Sequence, residues 1–339
     1  MNNTLKDLCS LYGGSGREDN VRGYIIEQIK DFARYYIDPL GNIIAFKKGA
    51  NTPENKVMLA AHMDEVGFIV NYITEKGFLK FTSVGGVDPA VICGKPVFVG
   101  SNRIAGAVGM KPVHLLKSDE KDKLPGIDEM YIEIGANDAD EAKQLISLGD
   151  RVYFESGFYK FGDGFIKARA LDDRAGCAVL IDLIKSEPSY DLWFAFTVQE
   201  EIGLRGAKTA AYSIAPDYAI VVEATTAADI SGVTGEKRVC ELGKGAVVSY
   251  MDNGTVYNMD LYNRAFELAQ KNNIKVQPKT QVAGGNDAGA IHTSRGGVKT
   301  LSISLPCRYL HSPSCVIKEE DLKDVRQLTQ LTAESFAND

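Results

Sequence analysis

The chain has 339 residues, of which 45% are hydrophobic and 24% charged, and a formal net charge of −7. That length holds one large α/β core and a smaller second one, and an acidic balance with no basic block argues against nucleic acid as a partner. The opening MNNTLKDLCSLYGGSG lacks the charged-then-apolar layout of a signal peptide, and no apolar run approaches the ~20 residues that span a bilayer. Six cysteines, at 9, 93, 177, 240, 307 and 315, show no CxxC spacing. They read as reduced thiols in a cytoplasmic protein.

SGRE (15–18) fits a capping box, with Ser15 as N-cap and Glu18 three residues on. It opens a helix with Val21, Ile25, Ile29 and Phe32 on one face. YYIDPLGNIIAFKKG (35–49) reads as strand, turn, strand, and VMLAA (57–61) is an all-apolar run that ends on His62. From there the texture changes. GFIVNYI, GFLKFTSVGG, KPVFVG, RIAGAVGM and DRVYFESGF are short β-type runs broken by glycine, and DADEAKQLISLG (138–149) is the one clear helix among them. Residues 68–161 are therefore expected to form a small β-rich domain, inserted into a larger domain made of residues 1–67 and 162–339. The larger domain resumes near FIKARALDDRAG (165–176) and continues with a helix at 175–186, which Pro188 closes. A strand LWFAFTV (192–198), a helix at 203–214, a strand AIVV (219–222), a helix at 255–273 and a strand KTLSISL (299–305) follow. Unbroken apolar runs suit strands buried on both faces. Their alternation with helices predicts an α/β fold, a mostly parallel sheet flanked by helices.

Four of these strands run into side chains that can hold metal. VMLAA leads to His62, with Asp64 two residues on; LWFAFTV leads to Glu200 and Glu201; AIVV to Glu223; KTLSISL, after a short loop, to His311. Asp172 and Asp173 stand just before the helix at 175. Ligands of open α/β sheets bind beyond the carboxyl ends of the strands, so residues distant in sequence arrive at one edge. The chain has only four histidines; His114 and His292 read as structural. Mixed imidazole and carboxylate donors suit Zn²⁺, Co²⁺ or Mn²⁺ better than a thiolate site would. Two ions roughly 3.5–4 Å apart need a bridging carboxylate, for which Asp172 is a candidate. A ligating imidazole usually donates its other N–H to an acceptor, and Asp64 is a candidate for that. A water held by metals still needs a base, so of Glu200 and Glu201 one is expected to ligate and the other to take the proton.

AHMDEVGF (61–68), ARALDDRAG (168–176), VQEEIGLRGA (198–207), GGNDAGAI (284–291) and HSP (311–313) occur in this order. Together they resemble the dinuclear-metal, TET-type aminopeptidases, the family of glutamyl aminopeptidases and of proteins once labelled cellulase M. The likeness covers essentially the whole chain. It implies a zinc-aminopeptidase-like α/β core with an inserted PDZ-like β-barrel. It also implies two divalent ions per subunit, zinc or cobalt with manganese as a third option. By position, His62, Asp172 and Glu223 would hold one ion, and Asp172, Glu201 and His311 the other. Glu200 would be the general base and Asp64 the orienter of His62. Asp287 matches a motif that lines the substrate pocket, and Arg308 is offered as a partner for an acidic substrate side chain. The resemblance further implies a cis peptide between Asp172 and Asp173, short peptides as substrates, and a homododecamer built from dimers. The family commonly has Asp where this chain has Glu223, which changes the reach and denticity of that ligand.

Two other readings compete with an aminopeptidase. A glycoside hydrolase, in line with the cellulase label, needs two carboxylates ~5–9.5 Å apart on either side of a sugar bond. Adjacent Glu200 and Glu201 are awkward for that, and the single tryptophan, Trp193, falls mid-strand. A binding protein with a vestigial metal site would have lost its base or several ligands, and here every position carries a competent residue.

Overall fold

The computed structural model describes residues 1–118 and 123–339. It divides into two units. One comprises residues 1–64, 158–310 and 314–339; the other comprises residues 65–157 with 311–313.

The larger unit is built on an eight-stranded sheet. Its strands are β1 (Arg34–Ile37), β2 (Ile43–Lys47), β3 (Val57–His62), β4 (Leu192–Thr197), β5 (Tyr218–Thr226), β6 (Ala246–Val248), β7 (Val276–Pro278) and β8 (Lys299–Cys307). Their spatial order is β1-β2-β4-β3-β5-β8-β6-β7. The central four, β4, β3, β5 and β8, are mutually parallel. β3, β4 and β5 are the unbroken apolar runs of the sequence, and the pattern has a physical cause: every residue of β3 is buried, as are the first eight of β5, because both faces are covered. At one edge β2 and β1 turn antiparallel. At the other, β6 runs antiparallel to β8 and carries β7 parallel to itself.

Seven helices of this unit are α1 (Asn2–Ser10), α2 (Asp19–Ile29), α3 (Leu171–Lys185), α4 (Arg205–Ile214), α5 (Met259–Lys271), α6 (Ala288–Ile291) and α7 (Glu319–Ala337). Alternate strand residues split between two cores. Leu59, Ala61, Ile220, Val222, Ile303 and Leu305 pack with α1, α2, α3, α5 and α7. Met58, Ala60, Ala219 and Val221 pack with the small residues Ala207, Ala210, Ala211 and Ala288 of α4 and α6. Fully burying one such Leu, Ile or Val contributes about 1.5–3 kcal/mol, so the sheet is fixed in register on both faces. His62 and Glu223 follow Ala60 and Val221 at a spacing of two. They therefore emerge on the α4/α6 side.

Ser15 does not cap α2. The helix starts at Asp19 with Glu18 as its N-cap residue, and no side chain caps it. Glu18 instead folds back to accept Gly16 N at 2.7 Å, and Ser15 is used elsewhere. Phe32 lies beyond the end of α2 and is exposed.

The second unit is a closed antiparallel barrel. Its strands, in order around it, are Gly67–Ile73, Leu79–Val84, Tyr131–Glu133, Ile104–Gly109, Pro96–Val99 and Arg151–Phe154. Phe68, Val70, Phe81, Val97, Val99, Ile132, Val152 and Phe154 fill its interior. The helix Ala139–Leu145 is capped by Asp138, whose carboxylate accepts the N–H groups of Asp140 and Glu141.

Candidate metal centre

β3 delivers His62 into a buried position among carboxylates. Its Nε2 lies 3.1 Å from Asp172 Oδ1 and 3.4 Å from Glu223 Oε1. Its Nδ1 lies 3.0 Å from the backbone oxygen of Asp64 and 3.5 Å from that residue's carboxylate. A carbonyl oxygen only accepts, so Nδ1 carries a proton, which leaves Nε2 as the ring atom that faces the Asp172 and Glu223 carboxylates. Burial opposes charging of this imidazole, but Glu223, Asp172 and Asp64 outweigh it and hold its pKa well above the ordinary value.

The Asp64 carboxylate is buried and receives three donors: the Ser15 hydroxyl at 2.6 Å, Glu200 N at 3.0 Å and Glu201 N at 3.2 Å. Burial raises its pKa, yet His62, the Ser15 hydroxyl and the Glu200 N–H together bring it below the usual value. Ser15 therefore belongs to the site, a role that the capping-box pattern concealed.

Asp172 and Asp173 sit in the first turn of α3, joined by a cis peptide bond, with Ala170 before them in the left-handed region at φ 54°. Asp173 is fully buried. It accepts Gly176 N at 2.9 Å and His62 N at 3.3 Å. Burial, then the charge of Glu223, raises its pKa well above the ordinary value.

Glu200 and Glu201 stand in the turn after β4, between two left-handed residues, Gln199 at φ 56° and Leu204 at φ 56°. The strand end is held from behind. Thr197 donates to Asp287 Oδ2 at 2.5 Å, its hydroxyl lies 3.2 Å from the Ala61 carbonyl, and Asp287 itself is buried at the start of α6. Burial pushes the pKa of Asp287 up to about 6. Burial also lifts Glu200 well above its ordinary value; His62 opposes the shift, while Glu223, Asp287 and Glu201 add to it. On β5, Glu223 is buried and pushed up to about 8 by burial, with His62 opposing and Asp172 adding.

Two overlapping groups place one ligand atom each within 4.8 Å of one another: His62, Asp173 and Glu223; and His62, Asp172 and Glu201. One imidazole among carboxylates, with Asp173 and Glu223 raised first by burial and then by neighbouring carboxylates, is a donor set suited to divalent cations. The chemistry of the residues fits the ions that the sequence suggested. Asp173 is the addition: the resemblance pointed to Asp172, and the structure brings both carboxylates of the DD motif to the cluster.

His311 is counted with the barrel unit, where its Nδ1 lies 2.6 Å from the Gly86 carbonyl. It is left-handed at φ 55°. Arg308, at the end of β8, is gripped in a bidentate pair: Nε to Asp229 Oδ1 and Nη2 to Asp229 Oδ2, both 2.7 Å. Its charge is therefore matched within the chain. His292 holds the Ala288 carbonyl at 2.8 Å from Nδ1, as a helix-end histidine would.

Against known proteins, the profile of the M42 glutamyl aminopeptidase family matches residues 41–328. The lysyl aminopeptidase of Pyrococcus furiosus is 34% identical over 96% of this chain and 94% of its own. Among solved structures, a TET aminopeptidase from a marine sediment Thaumarchaeota archaeon superposes with a TM-score of 0.93 at 31% identity, covering 98% of each chain. The TET1 peptidase of Pyrococcus horikoshii, described as assembling into a tetrahedron or a large octahedral shell, superposes with a TM-score of 0.85 at 34% identity, covering 99% of each chain.

Proposed function

The chain belongs to the M42 glutamyl aminopeptidase family and is a peptidase; from that premise we propose that it is a dinuclear metal-dependent aminopeptidase, releasing N-terminal residues from short peptides. The observation that carries this reading is the convergence of His62, Asp172, Asp173, Glu201 and Glu223 around one buried imidazole, beside Glu200.

In this reading His62, Asp172 and Glu223 hold one ion, and Asp172, Glu201 and His311 the second, with zinc or cobalt favoured over manganese. When bound, the ions supply Lewis-acid polarisation of the scissile carbonyl and lower the pKa of a water. The remaining work belongs to the chain. Glu200 accepts the water proton at its carboxylate and passes it to the leaving amine. Asp64 fixes the His62 ring and, through the N–H groups of Glu200 and Glu201, the turn that carries both glutamates. Asp287 supports the substrate side of the site from behind, through Thr197, and Arg308, offered as a partner for an acidic substrate side chain, already has its guanidinium paired with Asp229. The glycosidase alternative falls with membership in a peptidase family. It is also awkward in geometry, since both candidate carboxylates share one turn.

No described helix is long and apolar enough to cross a membrane. We place the protein in the cytoplasm, as a homododecamer built from dimers, on the strength of the resemblance and of the shell formed by the P. horikoshii relative.

Glu200→Gln tests the assignment. It should lower kcat by about 10²–10⁴-fold while metal content, measured by elemental analysis, stays at the wild-type level. An active, metal-loaded Glu200→Gln protein would refute the role given to Glu200.

A further inference from the structure

Glu18 is almost completely buried, and its Oε1 accepts two backbone N–H groups, Gly16 at 2.7 Å and Gln199 at 3.2 Å. The first bond closes a local loop. The second crosses 181 residues of chain to the turn that carries Glu200. Gln199 stands directly before Glu200 at φ 56°, a backbone conformation that a side-chain-bearing residue keeps only where its surroundings hold it. Four successive N–H groups at this strand end are each received by a side chain from elsewhere in the chain. Asn42 Oδ1 takes Val198 N at 2.9 Å, Glu18 takes Gln199 N, and Asp64 takes Glu200 N and Glu201 N. Of these acceptors, Glu18 serves the left-handed residue, whose dihedral angles set the direction in which the next side chain leaves the backbone.

Glu18 itself sits on an anchored segment. Two buried guanidiniums on either side of the DD motif grip the chain that leads to it. Arg174 donates to Leu8 O at 2.7 Å, Leu11 O at 3.2 Å and Gly13 O at 3.3 Å. Arg169 donates to Leu11 O at 2.7 Å and lies over the Tyr12 ring, 4.0 Å from its centre. Arg174 belongs to α3, as do Asp172 and Asp173. One helix thus carries a proposed metal ligand and fastens the segment that bears Glu18. Ser15, between the gripped carbonyls and Glu18, adds its bond to Asp64.

We propose that Glu18 is a positioning residue for the general base: its carboxylate oxygen fixes the backbone of Gln199 and so aims the Glu200 carboxylate at the water that it deprotonates. This rests on the peptidase reading above. What Glu18 supplies is an acceptor at a set reach, not a negative charge. Both donors use one oxygen, and glutamine carries a carbonyl oxygen at the same distance from the backbone. Aspartate keeps the charge but withdraws the oxygen by one methylene. A Glu18 that served folding alone would change stability and leave the kcat of the folded protein unmoved.

The test compares Glu18→Met, Glu18→Asp and Glu18→Gln. In the first arm, kcat and KM for the best aminoacyl-p-nitroanilide are normalised to bound metal and measured well below each melting temperature. Glu18→Met and Glu18→Asp should lose about 100-fold in kcat, the effect of a reacting group displaced by about 1 Å, with KM near wild type. Glu18→Gln should keep most of the activity. Glu18→Met added to Glu200→Gln should cause no further loss, since the group it positions is gone. The second arm needs no turnover: hydrogen exchange of the amides of residues 198–204, read by mass spectrometry on the metal-loaded proteins. Exchange should quicken in Glu18→Met and Glu18→Asp and stay slow in Glu18→Gln. That pattern in a protein silent toward all anilides would uphold the hold of Glu18 on the turn and sink the peptidase reading. A kcat unmoved by Glu18→Met and Glu18→Asp, or an active Glu18→Asp beside an inactive Glu18→Gln, overturns the proposal. If Glu18→Met does not fold, the Asp and Gln variants decide it.

Discussion

Asp64 Oδ1 accepts the backbone N–H of Glu200 at 3.0 Å. The residue two places after His62 thus anchors the turn that carries the proposed base, across 136 residues of chain. Replacing Asp64 by Ala leaves the Glu200 and Glu201 N–H groups and the Ser15 hydroxyl without their acceptor. A buried donor so stranded costs about 1–3 kcal/mol, so Asp64→Ala should lose on the order of 3 kcal/mol of stability. Its metal affinity should fall by about 10–100-fold, as is usual when the partner of a ligating histidine is removed. Urea unfolding and metal titration measure the two effects. A variant with wild-type metal affinity would show that the carboxylate is dispensable to His62, whose Nδ1 lies nearer the Asp64 carbonyl.

Gly176 marks a different constraint. A Cβ there would overlap the Asp173 carboxylate and come within 2.7 Å of the Val222 carbonyl. Gly176→Ala therefore has to displace either α3 or the carboxylate. Overpacking of this kind costs about 1–3 kcal/mol. The expected outcome is a lower melting temperature together with weaker metal binding, because Asp173 and the end of β5 move together. Loss of stability with metal binding intact would place Asp173 outside the metal cluster.

The sequence made the central sheet legible for a specific reason. β3, β4 and β5 are covered on both faces, so their apolar residues run without a break, while β8 alternates Leu301, Ile303 and Leu305 with Thr300, Ser302 and Ser304; the metal-capable residues stand where those strands stop. What lay in the turns was less readable. SGRE has the letters of a capping box, but Glu18 closes its own loop on Gly16 and Ser15 reaches Asp64; local pattern cannot see a partner 49 residues away. Asp173 was visible beside Asp172, but its place next to His62 and Glu223 depends on strands distant in sequence. The helix α7 is long and buries Leu322, Val325 and Leu328, a packing pattern that carries no site residue.

That helix supplies a pH prediction. Asp321, in the first turn of α7, accepts Gly243 N at 2.7 Å and Gly245 N at 2.8 Å. Burial pushes its pKa from 3.8 up to about 6 against the pull of those bonds. A folded-state pKa above the unfolded one means that the folded chain binds the proton more tightly. The contribution to stability is then complete below the unfolded value and is lost as pH rises from about 4 to about 6. The stability advantage of wild type over Asp321→Asn should shrink across that window by up to about 3 kcal/mol. Urea midpoints taken between pH 4 and pH 7 measure it. A difference that stays constant, or grows with pH, would mean the two backbone donors keep Asp321 ionised throughout.

The most direct test of the central claim is hydrolysis of a panel of aminoacyl-p-nitroanilides by the purified protein. It is run as isolated, after exhaustive chelation, and after re-addition of Zn²⁺, Co²⁺ or Mn²⁺. The account predicts release that chelation abolishes and a divalent ion restores, with the melting temperature rising on re-addition; at a hundredfold excess of ion over Kd the stabilisation is about 2.7 kcal/mol. Release that survives complete chelation would contradict a metal-dependent peptidase built on His62, Asp172, Glu201 and Glu223. Silence toward every member of the panel, with metal demonstrably bound, would leave the centre in place and remove the aminopeptidase activity assigned to it.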